Sequence, residues 1–212
     1  METTKRLVVL MDGTGSTLQS ILDATRLETL DAEVVAVFSH EPWCYGLLRA
    51  EREGVPALLH DLADYRFGGK SESEYVADLA ERIESFEPDL VVLAGWNLPL
   101  NEEFFRRFAN RVINLHSGLP GQFPIFDPYG QNPASRAYEA YSAGLIREAH
   151  VSVQLFSERE TLARIIAQQP VPIYEFDHLG DLEERMNRVQ QELLVNTLRL
   201  LLRETGDPTS SQ

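Results

Sequence analysis

Two short runs, Leu7-Val-Val-Leu10 and Leu90-Val-Val-Leu93, constrain this chain more than any other feature. Both are apolar at every position, without the polar alternation a strand shows when one of its faces meets water. A strand hidden on both faces belongs to a parallel sheet with helices on its two sides. The two runs extend to strands at Arg6–Met11 and Leu90–Ala94, and five more β-rich segments read as strands: Glu33–Ser39, Pro56–His60, Val112–Leu115, His150–Phe156 and Val171–Phe176. The fold class expected is therefore α/β, a mostly parallel twisted sheet of about seven strands with helices on both faces, Rossmann-like in layout.

Amphipathic segments between the strands predict helices at Thr17–Ala24, Trp43–Glu53, Ser73–Phe86, Asn101–Phe108, Pro133–Ala143 and Asp181–Glu204. Ser71 or Ser73 caps the third, and Pro88 stops it from running on. In the last, Leu182, Met186, Val189, Leu193, Leu194, Leu198 and Leu201 recur at helical steps, a stripe for docking on the sheet rather than on a partner. The longest stretch without periodicity, Ser117–Asn132, is rich in Pro and Gly, and so long a loop inside a compact domain is usually functional.

With 212 residues and no interior linker, a single domain over 1–205 is expected, followed by a disordered tail at 206–212. The lone cysteine, Cys44, excludes an internal disulfide framework and a Cys-based zinc site, and no metal is expected. A net charge of −14 argues against nucleic-acid binding, which needs clustered cations on the phosphates. The apolar run near the N-terminus is too short for a signal peptide or a membrane span, so a soluble cytoplasmic protein is the expectation.

Chemistry concentrates in two segments. Met11-Asp-Gly-Thr-Gly-Ser-Thr17 places a glycine turn between the first strand and the first helix, where backbone N–H groups point out of the helix start. Gly13 and Gly15 let the backbone approach an anion, and Ser16 and Thr17 add hydroxyl donors; the pattern is neither a dinucleotide nor an NTP loop. Further on, Asn114 and His116 stand two apart at a strand end and project from one side of the chain. An imidazole moves protons near neutral pH, and a carboxamide donates to an oxygen that becomes negative, a pairing suited to acyl transfer.

Taken together, Asp12-Gly-Thr-Gly-Ser-Thr-Leu-Gln19, Val91-Val-Leu-Ala-Gly95 and Asn114-Leu-His-Ser-Gly-Leu-Pro120 resemble, in order and spacing, the S-G-x-G-S-N-L-Q, V-V-L-A-G and N-I-H-P-S-L-L-P segments of the folate-dependent formyltransferases, the glycinamide ribonucleotide transformylases in particular. The resemblance implies formyl transfer from 10-formyltetrahydrofolate, as co-substrate, to the amine of glycinamide ribonucleotide in purine synthesis. It implies that Gly13, Gly15, Ser16 and Thr17 hold the substrate phosphate, Thr17 replacing the usual Asn. Asn114 would stabilise the oxyanion, His116 would assist proton movement, and Trp96, Asn97, Leu98 and Leu100 would occupy the strip that meets the pterin ring. The implied partner is a small phosphorylated amine, with a homodimer left open.

Departures accompany the match. The family's third catalytic group, an Asp, falls on Thr161 in an ungapped reading, which removes the charge that raises the histidine pKa; Glu158, Glu160 and Asp127 are the candidate replacements. Near the folate tail only Lys70 offers a cation, and the family's R-V-x-x-x-E pattern aligns with either Gln190 or Glu192. Two other functions therefore stand beside the first. One is a non-catalytic or divergent member that binds a phosphorylated metabolite or folate. The other is a formyltransferase for a different amine, such as a sugar amine, or a formyltetrahydrofolate hydrolase; the hydrolase alone is disfavoured because the chain begins at its first sheet strand.

Overall fold

The computed structural model describes residues 4–118, 132–157 and 163–204. Asp127, Glu158, Glu160, Thr161 and the 206–212 tail lie outside them. Seven strands form one sheet: β1 (Lys5–Leu10), β2 (Ala32–Ser39), β3 (Ala57–Leu59), β4 (Leu90–Leu93), β5 (Val112–His116), β6 (Glu148–Phe156) and β7 (Arg164–Pro172). Their order is β3-β2-β1-β4-β5-β6-β7. The first five pair in parallel, while β6 runs antiparallel to β5 and β7 antiparallel to β6.

The two apolar runs lie side by side, with Val9 opposite Val92, and every residue from Leu7 to Leu10 is buried. Leu7 and Val9 enter the core beneath α1 (Ser16–Arg26) and α7 (Leu179–Glu204); Val8 and Leu10 enter the one beneath α4 (Glu72–Glu84) and α5 (Glu102–Arg107). The stripe on α7 docks as its spacing predicts, with Leu182, Met186, Leu194, Leu198 and Leu202 buried. α6 (Pro133–Ser142) starts at its proline under an Asn132 cap and packs with α7 over β6 and β7. Ser71, not Ser73, caps α4, in a reciprocal capping box with Glu74.

Two sequence expectations need correction. The last strand is Arg164–Pro172 rather than Val171–Phe176, because pairing with β6 from Glu148 to Leu155 fixes its position and the chain turns after Pro172. A short helix α3 (Leu62–Phe67), capped by Asp61, stands where no helix was expected. No helix among the described residues is long and apolar enough to cross a membrane.

Leaving β2, the chain enters α2 (Tyr45–Arg52), which crosses the turn after β1 at a glycine contact. Gly15 sits in the left-handed region at φ 69°, and a Cβ there would lie 2.6 Å from the Cα of Gly46. Backbone meets backbone, so nothing flexible can yield. Gly15→Ala is expected to cost about 3 kcal/mol, combining left-handed strain with overpacking. Gly46→Ala should cost less, since its nearest neighbour is the movable end of Met11. Urea unfolding of both variants checks the order.

Candidate active site

After β2 and β3 are laid down on one side of β1, the chain crosses to β4 on the other side. That reversal leaves a crevice at the carboxyl ends of β1 and β4, where open α/β sheets hold ligands. A cleft of about 600 Å³ occupies the place. Asp12, Gly13, Thr14 and Thr17 line it after β1, Ala94 to Asn97 after β4, and Asn114 to Ser117 at the end of β5. α6 contributes Ala134 and Arg136, and α7 contributes Glu183, Met186 and Gln190.

Two carbonyls of the turn after β1 are engaged by α2. Gly13 O accepts from Gly46 N–H at 3.2 Å, and Thr14 O accepts from Arg49 Nε at 2.8 Å, both from α2. The first N–H groups of α1 have no acceptor within the helix, as at any helix start. Gly15 and Ser16 are set back from the lining and shape the turn. Ahead of them, Asp12 accepts from Ser39 Oγ at 2.8 Å through Oδ1, while its Oδ2 lies 2.9 Å from His40 Nε2. That ring nitrogen is also 2.7 Å from Asn97 Oδ1, so its N–H points to Asn97 and the approach to Asp12 is an ionic contact. Burial opposes a second proton on His40, but Asp12, with smaller help from Asn97 and Glu41, outweighs it and holds the ring above its ordinary pKa.

Asn114 and His116 enter the cleft as a pair. Across the β5–β6 ladder Asn114 faces Gln154 and His116 faces Ser152, which puts four polar side chains on one face of the sheet. All four are buried, and among the described residues Asn114 Nδ2, His116 Nε2 and Gln154 Oε1 have no hydrogen-bond partner. The indole N–H of Trp96, also on the lining, is likewise buried and unpartnered. Each such group costs about 1–3 kcal/mol when left unpaired, and clusters of them mark places where a ligand completes the bonding.

Among the described residues no carboxylate is bonded to His116. Burial and the nearby Arg136 guanidinium both disfavour its charged form, and its pKa is pushed down to about 4. At neutral pH the ring is an uncharged proton acceptor.

The four strip residues divide. Trp96 and Asn97 line the cleft; Leu98 and Leu100 do not, and their side chains pack into the core under α4 and α5. Gln190 reaches the cleft and donates to Ser117 Oγ at 2.6 Å, whereas Glu192 is exposed on α7 and does not line it. Lys70 sits in the turn before α4, 5.0 Å from the Tyr65 ring, and is not on the lining. Among the described residues no cluster of His, Cys, Asp and Glu is placed to hold a metal ion.

A protein-family model described as Formyl transferase matches residues 5–198. The chain belongs to that family. The phosphoribosylglycinamide formyltransferase of Schizosaccharomyces pombe is 35% identical over 204 residues, covering 92% of this chain and 96% of its own. The enzyme of the same name from Dictyostelium discoideum is 30% identical over 207 residues, covering 93% and 98%. Among solved structures, glycinamide ribonucleotide transformylase 1 from Symbiobacterium toebii superposes with a TM-score of 0.81 at 31% identity, covering 95% of this chain and 89% of that one.

Within this formyl transferase, sequence reasoning missed His40, Arg136, Ser152 and Gln154 as neighbours of the cleft. The carboxylate at Asp12, where the family pattern carries serine, was the available signal for the first of them.

The depressed histidine has a consequence for stability. A ring protonated only near pH 4 in the folded chain and near 6.5 when unfolded leaves stability intact above 6.5 and erodes it as pH falls toward 4. The expected loss is about 3 kcal/mol at most. Proton NMR of the His116 ring should show a midpoint near 4, and unfolding free energies measured from pH 7 to 4 should fall less in His116→Gln.

Proposed function

We propose that the protein transfers a formyl group from 10-formyltetrahydrofolate to the amine of glycinamide ribonucleotide. One observation carries this reading above the others: two buried, unpartnered nitrogens, Asn114 Nδ2 and His116 Nε2, line a cleft that also takes in the turn after β1 and the strip after β4. The folate, when bound, supplies the formyl carbon on its N10. Donors and acceptors on the Gly95–Asn97 strip suit a flat heterocycle, and the Gly13–Thr17 turn suits a phosphate.

In this scheme Asn114 Nδ2 donates to the formyl oxygen as the amine attacks and negative charge gathers there. His116, neutral at pH 7, accepts the proton that the attacking amine sheds, and returns it to the departing nitrogen. The bond from the formyl carbon to N10 breaks, a bond to the substrate nitrogen forms, and no net proton is consumed. Arg136 keeps the imidazole uncharged before the reaction, so that it is ready to accept. Gln190, held by Ser117, is placed to meet a ribose hydroxyl. A homodimer belongs to the same reading and is checked by sedimentation.

The low pKa of His116 favours a second reading, a formyltransferase for a different amine, because a weakly basic imidazole handles best a proton that is itself acidic. Formyl transfer by the purified protein, assayed with glycinamide ribonucleotide and with a panel of other primary amines, separates the two. Asn114→Ala and His116→Ala should each lower kcat by about a hundredfold or more while leaving folate binding in place. Absence of turnover with every amine would defeat both readings.

A further inference from the structure

We propose that Asp12 and His40 together set the charge of the turn after β1, so that it takes a phosphate group strongly while His40 is protonated and weakly once it is neutral. The inference rests on the reading of that turn as the phosphate site. Asp12 opens the turn and lines the cleft beside Gly13, Thr14 and Thr17, and its side chain is only 4% exposed. A carboxylate so placed repels a phosphate dianion through a medium that screens poorly. Serine, at the matching place of the family pattern, brings no such charge, so this chain must neutralise what it has added.

His40 is the neutraliser. Its Nε2 lies between two acceptors, 2.9 Å from Asp12 Oδ2 and 2.7 Å from Asn97 Oδ1, and therefore carries a hydrogen in both the neutral and the cationic ring. Titration occurs at the other nitrogen. It alters no contact of Nε2 but changes the net charge of the pair from zero to −1. The groups facing His40 are Asp12 from the β1 turn, Glu41 from its own loop, and uncharged Asn97 and Trp96 from the β4 turn. On α4, Tyr75 is held protonated by burial and by Asp12, so it adds no charge. Burial works against the His40 cation, and Asp12, Asn97 and Glu41 together more than offset it, which moves the change of charge upward from the ordinary imidazole value. Above pH 7 the substrate phosphate is already a dianion, so its own titration does not imitate the effect.

The test is calorimetric binding of glycinamide ribonucleotide, and of the riboside lacking its phosphate, between pH 7 and 9. The nucleotide should lose about tenfold more affinity than the riboside by the upper end; the riboside carries the same amine, which also titrates in this range, and so isolates the part that belongs to the phosphate. Asp12→Asn, which keeps the acceptor for Ser39, should bind the nucleotide with no such decline. His40→Gln should bind weakly already at pH 7, and Asp12→Asn in that background should restore the affinity. An equal decline in the wild type and in Asp12→Asn, or none in the wild type, overturns the proposal. If the nucleotide binds no better than the riboside at pH 7 in any variant, the phosphate reading itself fails and takes this inference with it.

Discussion

The structure depends on the burial of β1 and β4 on both faces. Because their runs Leu7–Leu10 and Leu90–Leu93 are apolar at every position and adjacent, with Leu10 opposite Leu93, neither side of the sheet can face water at its centre. Helices must cover both sides, and parallel strands joined through helices deliver their turns to the same edge. The reversal of strand order between β1 and β4 then opens that edge, and the turns after both strands meet there. A site assembled from residues 12 to 14 and 17, 94 to 97 and 114 to 117 follows from where the chain can hide its apolar runs.

Inside the cleft the balance is between solvation and reaction. Buried donors on Asn114 and Trp96 and a buried ring nitrogen on His116 forgo water without gaining a protein partner. Such groups are worth keeping where a ligand supplies the missing bonds, and in a poorly screened cleft those bonds are stronger than in water. The same burial decides the state of the imidazoles. Next to Arg136, His116 stays neutral; beside the Asp12 carboxylate, His40 is biased toward its cation. Burial opposes the cation on both rings; at His116 the Arg136 charge adds to it, while at His40 Asp12, Asn97 and Glu41 overcome it.

Much of this was legible in the sequence, and what was not has a common cause. Unalternating runs revealed β1 and β4, and the two-residue step from Asn114 to His116 placed both on one side of β5, because these are properties of a local segment. The position of β7 was missed because its register is dictated by β6, and Gln168 and Gln169 on an exposed edge carry little apolar signal. Helix α3 spans only six residues, too few for a periodicity to show. Ser152 and Gln154 join the site only through the antiparallel register, and His40 meets Asp12 across 28 positions of chain. Pairings of that kind are set by tertiary packing. The alternatives Gln190 and Glu192 were separated by helix facing alone, which a pattern with two alignments does not fix.

The two prolines of β7 bear on how this molecule behaves at high concentration. Pro170 and Pro172 lack N–H groups, and being two apart they withdraw donors from one and the same side of the strand. β7 is the terminal strand of the sheet, and a proline is tolerated in a strand where its missing N–H would have faced away from the paired neighbour, so the withdrawn donors are those a foreign strand would otherwise meet. With those donors gone, stacking of one molecule's sheet onto the next is blocked at its outer rim, and a crowded solution of this chain is protected against fibrous aggregation from that border.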